Sequence, residues 1–194
     1  VRGVSPHDLP ADVGRAIAEL DPERVQRLRD PELGLTAYLV VDSTALGPAA
    51  GGVRTRTYPD EVAAARDACR LARAMTYKCA LGGLDAGGGK VVVLERPELR
   101  REAAFEALGA RVEDLRGALR AAGDLGTTAA DLEAMARRTR YVHTDTAKLA
   151  SAVARGVLRC ALAGADVKGR PGLSGLRAAV QGCGDTGAAV AEAL

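Results

Sequence analysis

Aromatic residues are scarce in this sequence. They make up 3% of the 194 residues, with one phenylalanine and no tryptophan. A hydrophobic core must therefore be built from Ala, Leu and Val, which favours close packing of helices on a sheet. The hydrophobic fraction is nevertheless 47% and the net charge only +2, which argues against a disordered chain. The length allows one sizeable core, or one domain and part of a second.

The chain also lacks a strong charge of one sign and a long apolar run. A pI near 8.4 gives no strong basic field, which argues against nucleic acid as a partner. No run of about 18 apolar residues is present, so we expect no membrane-spanning helix. The first residues lack the apolar segment of a secretory signal, so we expect a cytoplasmic protein.

Residues that bind metals are few and badly spaced for the purpose. The histidines and cysteines are His7, His143, Cys69, Cys79, Cys160 and Cys183. The cysteines form no C-x-x-C pair and fit no zinc-site spacing, so we predict no metal site. We expect four buried or half-buried thiols in a reducing cytoplasm.

Hydrophobic periodicity and turn residues divide the first half of the chain into alternating elements. Apolar residues recur at three- and four-residue intervals after Asp60, which is typical of a helix. The second predicted strand is expected to pair with the first as a hairpin. The predicted elements are a charged helix over 8–30, a strand over 35–41, a loop over 47–52, a strand over 53–57, a helix over 60–80 and a buried strand over 90–95.

The second half continues the alternation, so the predicted fold class is α/β. We expect one domain over residues 1–165, and a linker with the start of a second domain over 166–194. The predicted elements here are helices over 97–122, 129–138 and 147–163, a loop over 123–128, and strands over 140–142 and 176–181.

A glycine-rich turn joins the last predicted strand to a helical segment. Its sequence is Gly182-Cys183-Gly184-Asp185-Thr186-Gly187, the G-x-G-x-x-G pattern. Between a strand and a helix, this pattern is typical of dinucleotide binding, because the backbone can approach a pyrophosphate at the helix N-terminus. The alternative is a glycine-rich turn that binds nothing. The acidic residue that holds the ribose is expected about 20 residues further on, past Leu194.

Two lysines and one aspartate are candidates for chemistry. Lys90 follows Gly87-Gly88-Gly89 and opens an apolar strand, where desolvation and a neighbouring cation would lower its pKa and free an amine to act as a base. Lys78 could then pair with a carboxylate, and Asp124, in a loop between glycines, could move protons. The alternatives are solvated surface lysines and an aspartate that caps a helix or turn.

Five segments together resemble the glutamate/leucine/phenylalanine/valine dehydrogenase family. Their order and spacing agree across residues 34–194. The segments are Leu46-Gly47-Pro48-Ala49-Ala50-Gly51-Gly52, Met75-Thr76-Tyr77-Lys78, Gly87-Gly88-Gly89-Lys90, Gly123-Asp124-Leu125-Gly126-Thr127-Thr128 and the turn at 182–187.

The resemblance implies NAD-dependent oxidative deamination of an L-amino acid to a 2-oxo acid and ammonia. By motif, Lys78 looks like the lysine that binds the substrate carboxylate, and Lys90 like the low-pKa lysine that activates water. Asp124 looks like the acid/base that exchanges protons with the amino group, while Gly51 and Gly52 would border the substrate. The implied fold is a substrate-binding and oligomerisation domain with a mixed sheet, followed by the first strand and phosphate loop of a Rossmann domain. The implied assembly is a homo-oligomer formed through the N-terminal domain.

Ala50 bears on the choice of substrate. Glutamate-specific members of the family carry a lysine before the Gly-Gly pair, whereas branched-chain and aromatic members carry an apolar residue. With Ala50, a glutamate side-chain carboxylate would lack a cation at this point, and an unpaired buried charge is costly. We therefore expect an apolar amino acid, with valine, leucine and phenylalanine unresolved, and NAD or NADP undecided.

The chain departs from the family pattern after the strand predicted at 140–142. The stretch there is short, and Leu149 falls where the family has a threonine near the nicotinamide; Thr144 or Thr146 could substitute. This departure motivates an alternative, a non-catalytic paralogue that binds an amino acid or only dimerises. An unrelated NAD-binding protein would leave the two lysine motifs unexplained. We expect the 194-residue chain alone to be inactive.

Overall fold

The computed structural model describes residues 9–145 and 149–194. The chain divides into two compact units, Val1–Thr144 and Asp145–Leu194. The domain boundary expected at residue 165 remains a prediction, because a division into compact units does not test where a functional domain ends.

The first unit combines helices and strands in the alternation that the sequence predicts. A 3₁₀ turn, Ala18–Leu20, follows the first helix. The elements are α1 (Ala11–Ile17), β1 (Arg24–Asp30), β2 (Leu35–Ser43), β3 (Ala49–Arg56), α2 (Glu61–Leu81), β4 (Gly87–Leu94), α3 (Arg101–Asp114), β5 (Leu119–Gly123) and α4 (Ala129–Ala136).

The five strands form one mixed sheet in the order β1-β2-β4-β3-β5. The pairs β1/β2 and β2/β4 are antiparallel, whereas β3 runs parallel to both β4 and β5. The α/β class with a mixed sheet is thus confirmed. In this order β3 separates β4 from β5, and the candidate site depends on that separation.

Hydrophobic cores lie on both faces of the sheet. Val91 and Val93 of β4 belong to the core beneath α3 and α4, with Phe105 at its centre. Val92 and Leu94 belong to the core beneath α1 and α2. This alternation follows from the period of two along a strand, and it places even-numbered positions of β4 on the α2 face.

Small residues let α2 lie close to the sheet. Asp60 caps its start by accepting a hydrogen bond of 2.7 Å from the Ala63 amide. The buried side of the helix is mainly alanine, including Ala64, Ala68 and Ala72. The scarcity of aromatic residues thus produces the close helix–sheet packing that composition predicts.

Two of the predicted helices are wrong in extent, and each hides a strand. The helix expected over 8–30 ends early, and the chain turns at Asp21, whose φ is +39°, into edge strand β1. The helix expected over 97–122 stops near Leu115. Arg116 and Gly117 have φ values of +50° and +85°, which no right-handed helix contains, and β5 follows.

The predicted hairpin is also wrong. β3 does not pair with β2, because β4 lies between them. Both β3 and β4 begin within glycine-rich segments that the sequence indicates as loops: β3 starts at Ala49, inside the expected loop 47–52, and β4 starts at Gly87. The glycines are part of the sheet because neighbouring backbone and side chains occupy the space where Cβ atoms would lie.

The remaining strand predictions fail in part. Residues 140–142 contribute one bridge, between Val142 and Ala121, rather than a strand. Residues 176–181 are exposed and form no strand, since nothing in the described part of the chain supplies a hydrogen-bonding neighbour. The first strand of a Rossmann domain is therefore absent from the described residues.

The second unit consists of helix α5 (Leu149–Val167), turns, and helix α6 (Asp185–Ala193). The helix predicted over 147–163 corresponds to α5, although residues 147 and 148 lie outside the described ranges, as does Thr146. Within the described ranges, none of the helices has the length and apolarity needed to cross a membrane.

Candidate active site

Lys90 lies inside the sheet rather than beside a loop. It is a β4 residue on the α2 face, and only 5% of it is exposed. The glycines at 87–89 let α2 and β5 approach the β4 backbone closely beside Lys90. A Cβ on Gly88 would overlap Thr76 of α2, and one on Gly89 would overlap Leu119 of β5. Glycine is required here because neighbouring elements approach the backbone closely.

The Lys90 ammonium reaches across β3 to Asp124. Its Nζ donates a hydrogen bond of 2.5 Å to Oδ2 of Asp124, which directly follows β5. Gly52 occupies the β3 position between them. A Cβ built on Gly52 would lie 2.7 Å from Cβ of Asp124 and 3.1 Å from Nζ of Lys90. The absent side chain is what allows the two groups to meet.

Burial and neighbouring charges set the protonation of this pair. Burial lowers the pKa of Lys90, opposed by the hydrogen bond to Asp124, and the charges of Arg54 and Lys78 lower it further. Burial raises the pKa of Asp124, but hydrogen bonds from Lys90 and from the Leu125 amide outweigh burial and leave the pKa below its ordinary value. Asp124 is thus an ionised proton acceptor next to an amine that loses its proton more easily than usual.

Lys78 and Ala50 lie near this pair without contacting it. Lys78 is exposed in the last turn of α2, and its ammonium has no hydrogen bond or ion pair within residues 9–145 and 149–194. Its charge nevertheless lowers the pKa of Lys90. Ala50 is half-buried at the start of β3, opposite Gly88, and Gly51 pairs with β5. The structure brings together Lys90, Asp124 and Gly52, with an unpaired cation close by.

Several bonds fix the loop that carries Asp124. The Thr55 amide donates to the Leu125 carbonyl at 2.9 Å, and the Thr127 hydroxyl donates to the Val53 carbonyl at 2.7 Å. Arg101 donates to the Gly126 carbonyl at 2.8 Å. These bonds hold the loop along the end of β3, so the position of Asp124 is set by the scaffold.

Arg101 also pairs with the residue that caps the next helix. Its Nη2 lies 2.6 Å from Oδ2 of Asp131, whose side chain is 5% exposed. Asp131 in turn forms a capping box with Thr128 at the start of α4. One arginine therefore connects α3, the Asp124 loop and α4.

Arg54 and Asp67 are parts of this cluster that the sequence prediction missed. Nε of Arg54 lies 3.1 Å from Oδ2 of Asp124, and Nη1 lies 3.2 Å from Oδ2 of Asp67. The signal available in the sequence was the period of two along β3, which puts Arg54 on the same face as Gly52. The period of two identifies Arg54 as a neighbour of Asp124 only once the strand order is known.

The glycine-rich turn of the second unit has a backbone suited to a phosphate. Gly182 has a φ of +90°, and α6 begins at Asp185 with Gly184 as its N-cap. A Cβ on Gly187 would overlap the Gly182 carbonyl, so the helix lies tightly against the turn. Free amides at a helix N-terminus and open space at Gly184 fit a pyrophosphate. Cys183 and Thr186 complete the segment.

The described residues contain no group of three or more His, Cys, Asp or Glu side chains arranged to hold a metal. Two of the four thiols, Cys69 and Cys79, are buried. Cys160 and Cys183 are exposed, contrary to the burial or half-burial expected of them, because each lies on an open surface of the second unit.

Comparison with known families identifies the family of the first unit. The sequence model described as "Glu/Leu/Phe/Val dehydrogenase, dimerisation domain" matches residues 22–141. The matched range includes Lys78, Lys90 and Asp124, and it covers more than half of the chain. The chain therefore belongs to the Glu/Leu/Phe/Val dehydrogenase family, as the motifs indicate.

Individual relatives are amino-acid dehydrogenases. The chain is 41% identical to leucine dehydrogenase of Geobacillus stearothermophilus over 173 residues, which is 85% of this chain and 47% of that protein. It is 43% identical to valine dehydrogenase of Streptomyces coelicolor over 136 residues, 68% of this chain and 37% of that protein. The crystal structure of L-tryptophan dehydrogenase from Nostoc punctiforme matches with a TM-score of 0.70 and 32% identity, covering 92% of this chain and 52% of that one. The chain thus spans about half the length of the curated relatives it matches.

Proposed function

We propose that this chain is the substrate-binding and proton-transferring part of an NAD-dependent dehydrogenase that deaminates an apolar L-amino acid to a 2-oxo acid and ammonia. The hydrogen bond between Lys90 and Asp124 carries the proposal. A buried lysine with a lowered pKa that contacts an ionised carboxylate directly supplies the two groups that acid–base catalysis requires.

Lys78 is the residue proposed to bind the substrate carboxylate. Its ammonium is exposed and unpaired within the described ranges, and its charge acts on Lys90, so an anion bound to Lys78 would lie beside the catalytic pair. Gly51 and Gly52 would border the substrate along β3, and the missing side chain of Gly52 lets Lys90 and Asp124 meet there. Ala50 offers no cation to a side-chain carboxylate, which favours an apolar substrate of the kind named for the leucine, valine and tryptophan relatives.

Lys90 and Asp124 are assigned complementary proton transfers. Asp124, ionised in the resting site, accepts a proton from the substrate ammonium and later returns one to the departing amine. Lys90, whose pKa is below that of an ordinary lysine, first loses its proton to solvent; the neutral amine then accepts a proton from water as the water attacks the imino carbon.

The cofactor is proposed to bind at the turn formed by Gly182, Cys183, Gly184, Asp185, Thr186 and Gly187. The backbone there fits a pyrophosphate, and the tight contact at Gly187 is the close helix packing that the dinucleotide pattern requires. When bound, NAD would accept a hydride from the substrate carbon. The choice between NAD and NADP depends on a ribose-binding residue expected after residue 194.

Assembly and location follow from the same assignment. The family description names a dimerisation domain over residues 22–141, so we propose a homo-oligomer formed through the first unit. We further propose a cytoplasmic enzyme whose partners are small molecules rather than nucleic acid or membranes. We also propose that the 194-residue chain by itself does not turn over substrate.

The test is made on the complete gene product. Formation of NADH is measured with L-valine, L-leucine, L-phenylalanine and L-glutamate. We expect turnover of at least one apolar amino acid and none of glutamate. Lys90→Ala should lower kcat by about 10²–10⁴-fold, whereas Lys168→Ala, which removes an exposed lysine at the end of α5, should leave kcat unchanged.

The non-catalytic alternative predicts a different result. Calorimetry of the complete gene product would then detect an amino acid binding without NADH binding, and no NADH would form with any amino acid. Near-normal turnover in Lys90→Ala would instead leave the enzyme assignment standing and contradict the role of Lys90.

A further inference from the structure

We propose that Arg54 is a positioning residue that holds the Asp124 carboxylate beside Lys90, and that Asp67 fixes the Arg54 guanidinium. The inference rests on the proposed function, because Asp124 has protons to exchange only if the chain is part of an amino-acid dehydrogenase. Arg54 lies in none of the five motif segments on which the family resemblance rests.

The geometry joins two donors on one oxygen. Oδ2 of Asp124 accepts from Nζ of Lys90 at 2.5 Å and from Nε of Arg54 at 3.1 Å. The donors come from neighbouring strands, β4 and β3, whereas the acceptor follows β5. A carboxylate held from two strands cannot rotate freely, so its second oxygen keeps a constant direction.

Asp67 of α2 anchors the other side of the guanidinium. Nη1 of Arg54 lies 3.2 Å from Oδ2 of Asp67, and the Tyr58 hydroxyl donates to the same oxygen at 2.6 Å. The planar guanidinium presents several donors in fixed directions, and it therefore bridges Asp67 and Asp124 at once. Lysine, with a single ammonium on a flexible chain, cannot reproduce this bridge.

Asp124 needs such support more than Lys90 does. The Lys90 side chain is 6% exposed and enclosed by the sheet and α2, whereas the Asp124 side chain is 28% exposed and begins a loop. The charged groups around the pair are Arg54 from β3, and Lys78 and Asp67 from α2. Arg54 pairs with two carboxylates, whereas Lys78 pairs with none among the described residues. Lys78 is therefore the cation left for a substrate anion.

Loss of Arg54 should affect turnover rather than substrate affinity. Displacement of a reacting group by about 1 Å can cost roughly 100-fold in rate. We expect Arg54→Gln in the complete gene product to lower kcat by about 10–100-fold and to change KM for the amino acid less than about threefold, because Arg54 does not contact the substrate-binding lysine. Arg54→Lys should restore only part of the loss.

The pH profile provides a readout that a merely structural role would not move. The Arg54 charge lowers the pKa of Lys90. The hydrogen bond and charge of Asp124 raise the pKa of Lys90 by more than Arg54 lowers it. When Asp124 turns away in Arg54→Gln, the pKa of Lys90 therefore falls, and the acidic limb of the kcat/KM profile should shift to lower pH. A general loss of folded protein would lower the whole profile without shifting it.

The matched control is Arg56→Gln. Arg56 lies two residues further along β3 and is exposed, so its substitution removes the same charge from the same strand. We expect Arg56→Gln to leave kcat and the pH profile unchanged.

Asp67→Asn keeps Arg54 but weakens the ion pair that anchors it. We expect this variant to lower kcat as well, by a smaller factor than Arg54→Gln. Circular dichroism and thermal unfolding establish that each variant is folded. If Arg54→Gln does not fold, Asp67→Asn provides the test in its place.

The two proposals fail in distinguishable ways. Equal kcat and equal pH profiles in folded Arg54→Gln and Arg56→Gln would overturn the role of Arg54 while leaving the dehydrogenase proposal intact. If the unsubstituted gene product deaminates no amino acid, the proposed function fails. Crystal structures of Arg54→Gln then decide: Asp124 turned away from Lys90 supports the positioning role, and an unmoved Asp124 overturns it.

Discussion

Nζ of Lys90 lies 2.5 Å from Oδ2 of Asp124, and the two side chains differ in exposure, at 6% and 28%. The cation is therefore the buried partner, and it bears most of the desolvation cost. A lysine in that position weakens the fold at neutral pH, because the unfolded chain binds the proton more tightly. The stability cost of burying Lys90 can be measured.

Lys90→Met should make the chain more stable while abolishing the proposed activity. Methionine fills a similar volume without the charge, and Asp124 keeps Arg54 as a partner. We expect a gain of about 1 kcal/mol in the free energy of unfolding at pH 7, measured by urea denaturation. In the folded protein the pKa of Lys90 lies below its ordinary value of 10.5, mainly because the side chain is buried. The loss of stability caused by the buried charge is thus complete below the pKa of Lys90 in the folded protein, and it disappears as pH rises to about 10.5. At that pH the free energies of unfolding of Lys90→Met and the unsubstituted chain should converge. If Lys90→Met is less stable than the unsubstituted chain at pH 7, the desolvation cost assigned to Lys90 is wrong.

Gly52→Ala should separate the Lys90–Asp124 pair. The new Cβ would lie 2.7 Å from Cβ of Asp124, closer than van der Waals contact allows. We expect a loss of about 1–3 kcal/mol in stability and at least a tenfold fall in kcat of the complete gene product. Gly14→Ala is the control, since a Cβ there meets nothing within 4 Å in helix α1; it should be neutral or slightly stabilising. Normal turnover in Gly52→Ala would show that the pair does not depend on this gap.

Arg101→Met should destabilise the first unit. The substitution leaves the Asp131 carboxylate, 5% exposed on its side chain, with only its Thr128 partners, and it frees the Gly126 carbonyl in the Asp124 loop. We expect a loss of about 2–3 kcal/mol by urea denaturation at pH 7. Arg111→Met removes an exposed arginine of the same helix from an ion pair of 3.3 Å and should cost less than about 0.5 kcal/mol. Equal losses in the two variants would contradict the bridging role of Arg101.

The pH dependence of this clamp has a definite sign. Burial raises the pKa of Asp131, but the hydrogen bonds from Arg101 and Thr128 outweigh burial, so the pKa in the folded protein lies below its ordinary value of 3.8. The stability that ionised Asp131 contributes is therefore complete above pH 3.8. It is lost as pH falls through the lowered pKa of Asp131 in the folded protein. The stability difference between the unsubstituted chain and Arg101→Met should shrink across that acidic window.

The central elements of the fold were predictable because their signals are local. The helix expected over 60–80 is α2 within a residue at each end, and the strand expected over 35–41 lies within β2. Both have a clear periodicity or a dense run of strand-forming residues. β1 and β5 were missed for opposite reasons. Edge strand β1 is mostly charged, and the first four residues of β5, in the sequence LRAAG, favour helices.

The sequence motifs indicated residues of the candidate site but not the geometry that joins them. Motifs indicated Lys90 and Asp124, yet nothing local indicates that β3 lies between them with Gly52 at the crossing point. Arg54 was missed because one arginine in a strand is ordinary until the sheet order places it beside Asp124. The strand expected over 176–181 is absent for a related reason, since a strand exists only where a neighbour pairs with it.

Labelling of the thiols should separate the cysteines into two classes in the isolated chain. Burial raises the pKa of Cys69 to about 12, and Cys79 is buried as well, whereas Cys160 and Cys183 are exposed. Because the thiolate is the reactive form, a thiol reagent at pH 8 should modify the two exposed cysteines in the folded chain and all four only in denaturant. Cys160→Ser and Cys183→Ser should each remove one rapidly modified thiol, counted by mass spectrometry, while Cys69→Ser should remove none. Rapid modification of Cys69 would mean that α2 opens away from the sheet far more often than its packing against Gly88 allows.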